Sequence, residues 1–308
     1  MNWTIQIPYL EITSKCNLNC KHCYNNSTAE NTLLLSRKTI LTCLEFFEGM
    51  GVRDLSISGG EPLLHPDVVD ILRNAHERGF RTLLATNGTL LSEELVKRIS
   101  PYVRYYQISV DGDKPAHEAV RGAGSYEAAF RGIGQLCSQG LQKRTRLRMT
   151  ISRINYNSIP RLIEEAVRLE LEAVHFSVVR SQGRAEENFE EALRLSDQCL
   201  VQLYQKVRTL RRQYKGVIDI SRLDVDGGEC GLLKDDAVIK PRIDVYGNVY
   251  PCEGYLDSES GLGNLKEGLS TVFSDKRVRG YIDRLKQVRS QASECAACYW
   301  GKFICSRG

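Results

Sequence analysis

The chain has 308 residues, which suits one large α/β domain with an appendage and allows a full hydrophobic core. Its 42 basic and 38 acidic residues leave a net charge of only +4, and no Lys/Arg run with interleaved aromatics occurs, so no nucleic-acid partner is expected. The N-terminus lacks an apolar core flanked by positive charge, and no apolar stretch approaches the roughly 20 residues that span a bilayer, so no membrane association and a cytoplasmic location are expected.

From Ile5 to about Val179, short β-branched runs alternate with amphipathic helical stretches. The alternation predicts strands at Tyr9–Ile12, Asp54–Ser58, Thr82–Ala85, Tyr106–Val110, Arg146–Ile151 and Val174–Val179. Between them, helices are predicted at Lys38–Glu48, Asp67–Glu77, Ser92–Ile99, Tyr126–Ser138 and Ser158–Leu169. Six β-then-α units mean parallel strands with right-handed crossovers. Six units rather than eight predict an α/β fold built as a partial (βα)6 TIM-like barrel, whose active site lies at the carboxyl ends of the strands. The charged stretch Glu186–Tyr214 reads as the last barrel-covering helix, its charges forming a solvated face. Beyond it Gly and Cys rise, and five of the eleven cysteines fall there. A boundary near residue 216 is therefore expected, dividing a barrel at 1–216 from a small Cys-rich domain at 217–308. In the smaller domain a pair of β-rich runs about Tyr246-Gly247-Asn248 signals a hairpin, and a short helix is expected around Ser270 to Val288.

In a reducing compartment, clustered cysteines mean metal more often than disulfides. Cys16-x3-Cys20-x2-Cys23 follows the first strand. Three thiolates hold a four-iron cluster by three of its irons and leave the fourth without a protein ligand. Four thiolates make an electron-transfer centre, whereas an open iron can bind and reduce a substrate or cofactor directly. Zinc would want a fourth nearby ligand and more usually pairs two Cys-x2-Cys knuckles. Three further motifs also follow strands: Ser58-Gly59-Gly60-Glu61-Pro62, Thr86-Asn87-Gly88 and Ser109-Val110-Asp111-Gly112. Paired glycines let the backbone approach a ligand closely, although an Asp-Gly pair is by itself usually a turn.

The cysteine spacing together with the Gly-Gly-Glu-Pro run resembles the radical S-adenosylmethionine (SAM) enzymes. The resemblance implies that Cys16, Cys20 and Cys23 carry a 4Fe-4S cluster whose open iron is chelated by the methionyl amine and carboxylate of SAM. It implies that Gly59, Gly60, Glu61 and Pro62 hold the methionyl ammonium, with Glu61 adding charge or bracing the loop. His22 stands where the family places a ring near adenine. Asn87 belongs to a loop under SAM, and Ser109 or Asp111 would meet the ribose hydroxyls. Arg153, Asn155 and the Arg180–Arg184 segment would face the SAM carboxylate or the substrate. The implied chemistry is reductive cleavage of SAM to a 5'-deoxyadenosyl radical that abstracts hydrogen from an unactivated C–H bond. A flavodoxin- or ferredoxin-type reductant and an oxygen-poor setting go with it.

The C-terminal cysteines Cys230, Cys252, Cys295, Cys298 and Cys305 resemble the twitch domain, the short form of the SPASM domain; Gly247-x4-Cys252 fits both forms. This implies an auxiliary 4Fe-4S cluster on Cys230, Cys252, Cys295 and Cys298, making two clusters in all. A zinc knuckle on the same four thiolates remains open. Cys305 is then spare, either a packing thiol, a substitute ligand or a hydrogen donor to substrate. Cys43, Cys137 and Cys199 lie within helical patterns and read as ordinary thiols. Enzymes with such domains modify ribosomal peptides by crosslinking, epimerisation or oxidation, which places a peptide substrate first. The chain begins almost at its first strand, so no fused leader-peptide domain is expected. A small-molecule dehydrogenase or epimerase acting on an aminocyclitol or sugar is the close alternative. A non-catalytic metal scaffold is the third, and it leaves the strand-end motifs unexplained.

Overall fold

The computed structural model describes residues 3–221, 223, 232, 236–252 and 261–291. Its elements begin with β1 (Trp3–Ile5), β2 (Tyr9–Glu11), α1 (Arg37–Gly49), β3 (Asp54–Ser58), α2 (Val68–Glu77), β4 (Arg81–Thr86) and α3 (Glu93–Ile99). Next come β5 (Val103–Ser109), α4 (Lys114–Arg121), α5 (Ser125–Ser138), β6 (Thr145–Ile151), α6 (Ile159–Arg168) and β7 (Ala173–Val178). The remainder comprises α7 (Arg184–Glu187), α8 (Asp197–Gln213), β8 (Asp219–Ile220), β9 (Ala237–Ile239), β10 (Arg242–Ile243), β11 (Asn248–Tyr250), β12 (Gly263–Asn264), α9 (Leu269–Val272) and α10 (Asp275–Gln291).

Ten strands form one sheet in the order β12-β11-β10-β2-β3-β4-β5-β6-β7-β8, parallel from β10 through β8, while β1 pairs with β9 separately. The six expected strand-then-helix units, β2 to β7, run in sequence order and make the partial TIM-like barrel. Strands after residue 216 share this sheet: β8 extends β7, and Arg242 of β10 lies beside Tyr9 of β2.

The two-residue period of each strand sorts side chains between two environments. In β6, Thr145, Leu147, Met149 and Ile151 are buried, whereas Arg146, Arg148 and Thr150 alternate with them on the other face. The apolar set faces α-helices such as α6, whose Ile159, Leu162, Ile163 and Ala166 are buried at helical spacing. The polar set faces the barrel interior, where Arg148 and Thr150 border a cavity.

Three helical expectations need correction. α4 was not expected, because Asp111-Gly112 reads as a turn; it starts one residue later, where Asp113 accepts the Ala116 N–H at 3.2 Å and Pro115 fits the first turn. Glu186–Tyr214 is not one helix but α7, a π-helical turn at Phe189–Leu193, and α8, which starts at its own cap, Ser196, accepting the Cys199 N–H. The helix expected around Ser270 to Val288 is instead two, the short α9 (Leu269–Val272) and α10 (Asp275–Gln291), the latter carrying a buried stripe of Val278, Tyr281, Ile282 and Leu285.

One close approach locks a site loop to the helical layer. Gly132 of α5 lies against the Gly88 carbonyl so tightly that an added Cβ would overlap it, and Gly88 itself has φ +79°. Gly134, on the same helix, is exposed with open space around it. Alanine is favoured over glycine within helices by up to about 1 kcal/mol. Gly134→Ala should therefore raise stability by a few tenths to about 1 kcal/mol in urea unfolding, whereas Gly132→Ala should lower it by about 1–3 kcal/mol through overpacking. Equal effects from the two variants would refute the contact.

Candidate functional site

The carboxyl ends of the strands surround a cavity of about 270 Å³. Cys16, Cys20 and Cys23 line it, together with His22, Gly59, Gly60, Asn87 and Ser109. The cysteines are carried by an irregular loop that β2 delivers and that the β3 loop anchors through its backbone. Gly60 N–H donates to Thr13 O at 2.6 Å and Glu61 N–H to Lys15 O at 2.8 Å. A Cβ on Gly59 would sit 2.5 Å from Thr13 O, and one on Gly60 would overlap Lys15 O. Only glycine at both positions permits this contact.

Two arginines clamp the loop from elements distant in sequence. Arg184 donates from Nη1 to Cys20 O at 2.8 Å and from Nη2 to Ser27 O at 3.0 Å, while its own N–H reaches Cys23 O. Arg121, the last residue of α4, donates from Nη1 to the Cys20 Sγ at 3.8 Å and from Nε to Asp111 Oδ2 at 2.6 Å. Arg184 thus braces the loop instead of facing the cavity, while Arg180 and Gln182 do line it.

Asp111 is where expectation and structure diverge. It is fully buried and does not border the cavity. Its Oδ2 pairs with His22 Nε2 and Arg121, both at 2.6 Å, and its Oδ1 accepts the Thr150 N–H at 2.8 Å. Both oxygens are spent on protein partners, whereas Ser109 borders the cavity. Burial by itself would raise this carboxyl, but Arg121 and His22 outweigh that cost and hold it well below the usual carboxylate range. His22 borders the cavity with its ring oriented by the same carboxylate.

Glu61 is likewise fully buried, accepting from Thr86 Oγ1, Asn87 N–H and Leu63 N–H at 2.6, 2.8 and 3.2 Å. Burial pushes its carboxyl up to about 7, against the opposing pull of those hydrogen bonds. Glu61 braces the loop, and Pro62 opens the 3-10 turn Pro62–Leu64 behind it. Asn87 carries the brace forward to the cavity, donating to Asn17 Oδ1 at 2.9 Å. Asn155 is buried in its own turn, bonded to Ser152 and Thr150, and neither it nor Arg153 borders the cavity.

Burial raises the Cys16 and Cys20 thiols to about 12 and about 11, in the second case against the pull of Arg121. Both are neutral in the metal-free protein, and metal ligation must expel their protons. Cys43 and Cys137 pack in or against the core as ordinary thiols, as does Cys199. Cys252 is half-buried, and Lys240 pairs with it in an isolated bridge. Cys230, Cys295, Cys298 and Cys305 lie outside the described residues.

Sequence reading missed Arg121, Arg242, Glu11 and Tyr24. Glu11, only 2% exposed, accepts from Tyr24 Oη at 2.7 Å and from Arg242 Nη1 at 2.9 Å, and the Arg242 guanidinium lies 4.2 Å over the Tyr250 ring. The signal for Arg121 was the Asp113-x-Pro115 helix start that places it in a last turn. Arg242 was visible only as a charge inside a β-rich run.

The family profile for the radical SAM superfamily matches residues 10–166. The chain belongs to the radical SAM superfamily. Relatives similar over most of its length include the Fe-coproporphyrin III synthase of Methanosarcina barkeri, 25% identical over 94% of this chain and 79% of that protein. Another is the mycofactocin maturase MftC of Mycolicibacterium smegmatis, 27% identical over 97% and 76%. An AdoMet-dependent heme synthase of Methanosarcina barkeri is 34% identical, but over 58% of this chain and about half, 52%, of that protein. Among solved structures, Streptococcus suis SuiB bound to S-adenosylmethionine superposes with TM-score 0.75 at 17% identity, over 98% of this chain and 72% of SuiB. At that identity the likeness is one of fold.

Membership of the radical SAM superfamily implies a 4Fe-4S cluster and SAM. The residues present fit them. Three unpaired thiols border one cavity. Among the described residues, no group of three or more His, Cys, Asp or Glu is placed to hold a single metal ion. The Gly59-Gly60 turn borders the same cavity and packs its backbone directly on the cysteine loop.

Asp111→Asn leaves Arg121 and His22 facing a neutral amide and should cost about 3–5 kcal/mol at pH 7, the range for losing one partner of a buried pair. The carboxyl titrates near its ordinary value of about 3.9 in the unfolded chain and lower when folded. Its stabilisation is therefore complete above about pH 4 and is lost as pH falls toward the folded value. Urea unfolding of the metal-free proteins should show the gap between parent and variant narrowing below about pH 4. A gap unchanged from neutral to acid pH would contradict this.

Proposed function

We propose that this radical SAM enzyme binds its cluster through Cys16, Cys20 and Cys23 and its SAM against Gly59, Gly60, Asn87 and Ser109, and that it modifies a ribosomally made peptide. The observation that carries the reading is the meeting of the three thiols and the Gly59-Gly60 turn on one cavity. When bound, cluster and SAM supply a carbon-centred radical able to break an unactivated C–H bond. The chain's own residues do the positioning. Gly59 and Gly60 present backbone to the methionyl end, Ser109 offers a hydroxyl to the ribose, and His22 holds a fixed ring at the wall. Arg121, Arg148, Arg180 and Arg242 border the cavity and, among the described residues, no Asp or Glu does, which favours molecules bearing carboxylates.

Peptide modification is supported by the match to MftC, a maturase, over nearly the whole chain. A crosslink, an epimerisation and an oxidation all fit it. A small-molecule substrate is the second reading, favoured by the comparably long match to Fe-coproporphyrin III synthase. Residues 217–308 form, in this proposal, a twitch-type domain with an auxiliary cluster on Cys230, Cys252, Cys295 and Cys298. A flavodoxin- or ferredoxin-type protein supplies electrons. Cys305 is the residual thiol, and a Cys305→Ala protein that keeps its iron but no longer transfers solvent deuterium to product would identify it as a hydrogen donor.

Changing Cys16, Cys20 and Cys23 together to Ala should abolish anaerobic release of 5'-deoxyadenosine from SAM while about four irons remain in the auxiliary site. Continued 5'-deoxyadenosine formation by that variant would sink the assignment. The reconstituted parent should hold about eight irons, falling toward about four when Cys295 and Cys298 are replaced. One equivalent of zinc beside about four irons would establish a knuckle in place of the auxiliary cluster.

A further inference from the structure

Cys20 differs from the other two cysteines of its loop in having a buried guanidinium against its sulfur. The Arg121 side chain is 9% exposed. Its Nη1 donates to Cys20 Sγ at 3.8 Å while its Nε is held by Asp111 at 2.6 Å. Asp111 cannot swing away, because the Thr150 N–H of β6 and the His22 ring fix it from two further directions. The fork of the guanidinium is therefore aimed by one arm and spent on sulfur with another, a geometry that lysine cannot reproduce with a single charged nitrogen. Other charges reach Cys20 less directly: Arg184 is committed to the carbonyls of Cys20 and Ser27, and Asp111 lies behind Arg121. The sulfur therefore meets a cation first.

We propose that Arg121 is a positioning residue for the iron–sulfur cluster, its N–H···S contact and its charge making the cluster easier to reduce. The inference rests on the reading of Cys20 as a cluster ligand. The physics is that of iron–sulfur centres generally, whose potentials follow net charge and hydrogen bonds to sulfur. One electron from a low-potential donor enters the cluster, whose negative charge grows by one. No proton moves, since Arg121 is charged throughout. A fixed cation and an N–H donor beside the sulfur favour the state with more negative charge. The same residue links that ligand, through Asp111, to the His22 ring on the cavity wall, so ligand position and ring position are set together.

The test is a redox titration with dithionite, followed by EPR, on anaerobically reconstituted protein. The signal to follow is the one absent from the Cys16/Cys20/Cys23→Ala protein. Arg121→Gln should retain the parental iron but show a lower midpoint. At the parent's midpoint the ratio of reduced to oxidised cluster should fall about tenfold, equivalent to about 59 mV for a one-electron couple. Arg121→Lys, which keeps the charge and loses the fork, should fall between. An Arg121→Gln protein with full iron and an unchanged midpoint would overturn the proposal. If that variant fails to load iron, Arg121→Lys decides the matter: a midpoint below the parent's with full iron is expected, and an unchanged or raised midpoint counts against the proposal. Failure of the underlying reading would look different, as a Cys20→Ala protein that keeps both the signal and its iron.

Discussion

Everything at the site depends on a backbone-to-backbone contact that tolerates no side chain. The cysteine loop lies on the β3 turn with Thr13 O and Lys15 O receiving the Gly60 and Glu61 N–H groups, and neither Gly59 nor Gly60 has room for a Cβ. Two irregular segments can pack this closely only if each satisfies the other's polar groups, because a buried unpaired amide costs more than the hydrogen bond is worth. The contact fixes where the sulfurs stand relative to the glycine wall before any ligand arrives. It also explains the buried Glu61: a carboxylate accepting three hydrogen bonds ties the β3 turn to Thr86 and Asn87 at the end of β4.

Around that contact the charges are arranged in two rings. Carboxylates lie outside, buried behind the wall as Asp111, Glu61 and Glu11, each of them occupied. Guanidinium groups lie inside, with Arg121 and Arg242 held by those carboxylates and turned toward the cavity. A buried ion pair is weak evidence for stability, since desolvation offsets much of the attraction. Such pairs do fix orientation, and here they orient cations toward the space where anionic groups would be held.

The barrel was legible in the sequence because its signals are local. The alternation of Leu147, Met149 and Ile151 with polar neighbours, and the four-residue rhythm of α6, mark strand and helix directly. The cysteines and Gly59-Gly60 were legible because their spacing constrains backbone geometry. What escaped was long-range. Nothing near Asp111 says that its partners will be His22 and Arg121, so its place as a junction between them was not legible in an Asp-Gly pair. Arg184 reads as one of several arginines until the fold brings it 164 residues back onto Cys20. The break at Arg194, between the π turn and α8, needed knowledge of the Ser196 cap in its folded context.

Strand β2 pairs with β3 on one side and with β10 on the other, and its Glu11 meets Arg242 across 231 residues. The chain therefore makes β2 early and completes that strand's surroundings late. During synthesis β2 can be covered on one edge as soon as β3 emerges, but its other edge stays open, and Glu11 lacks its counter-charge, until residue 242 has been made. Contacts of such separation slow folding, and an open parallel edge invites wrong partners. Until residue 242 has been made, that open edge of β2 is where a nascent sheet is most exposed to wrong pairing.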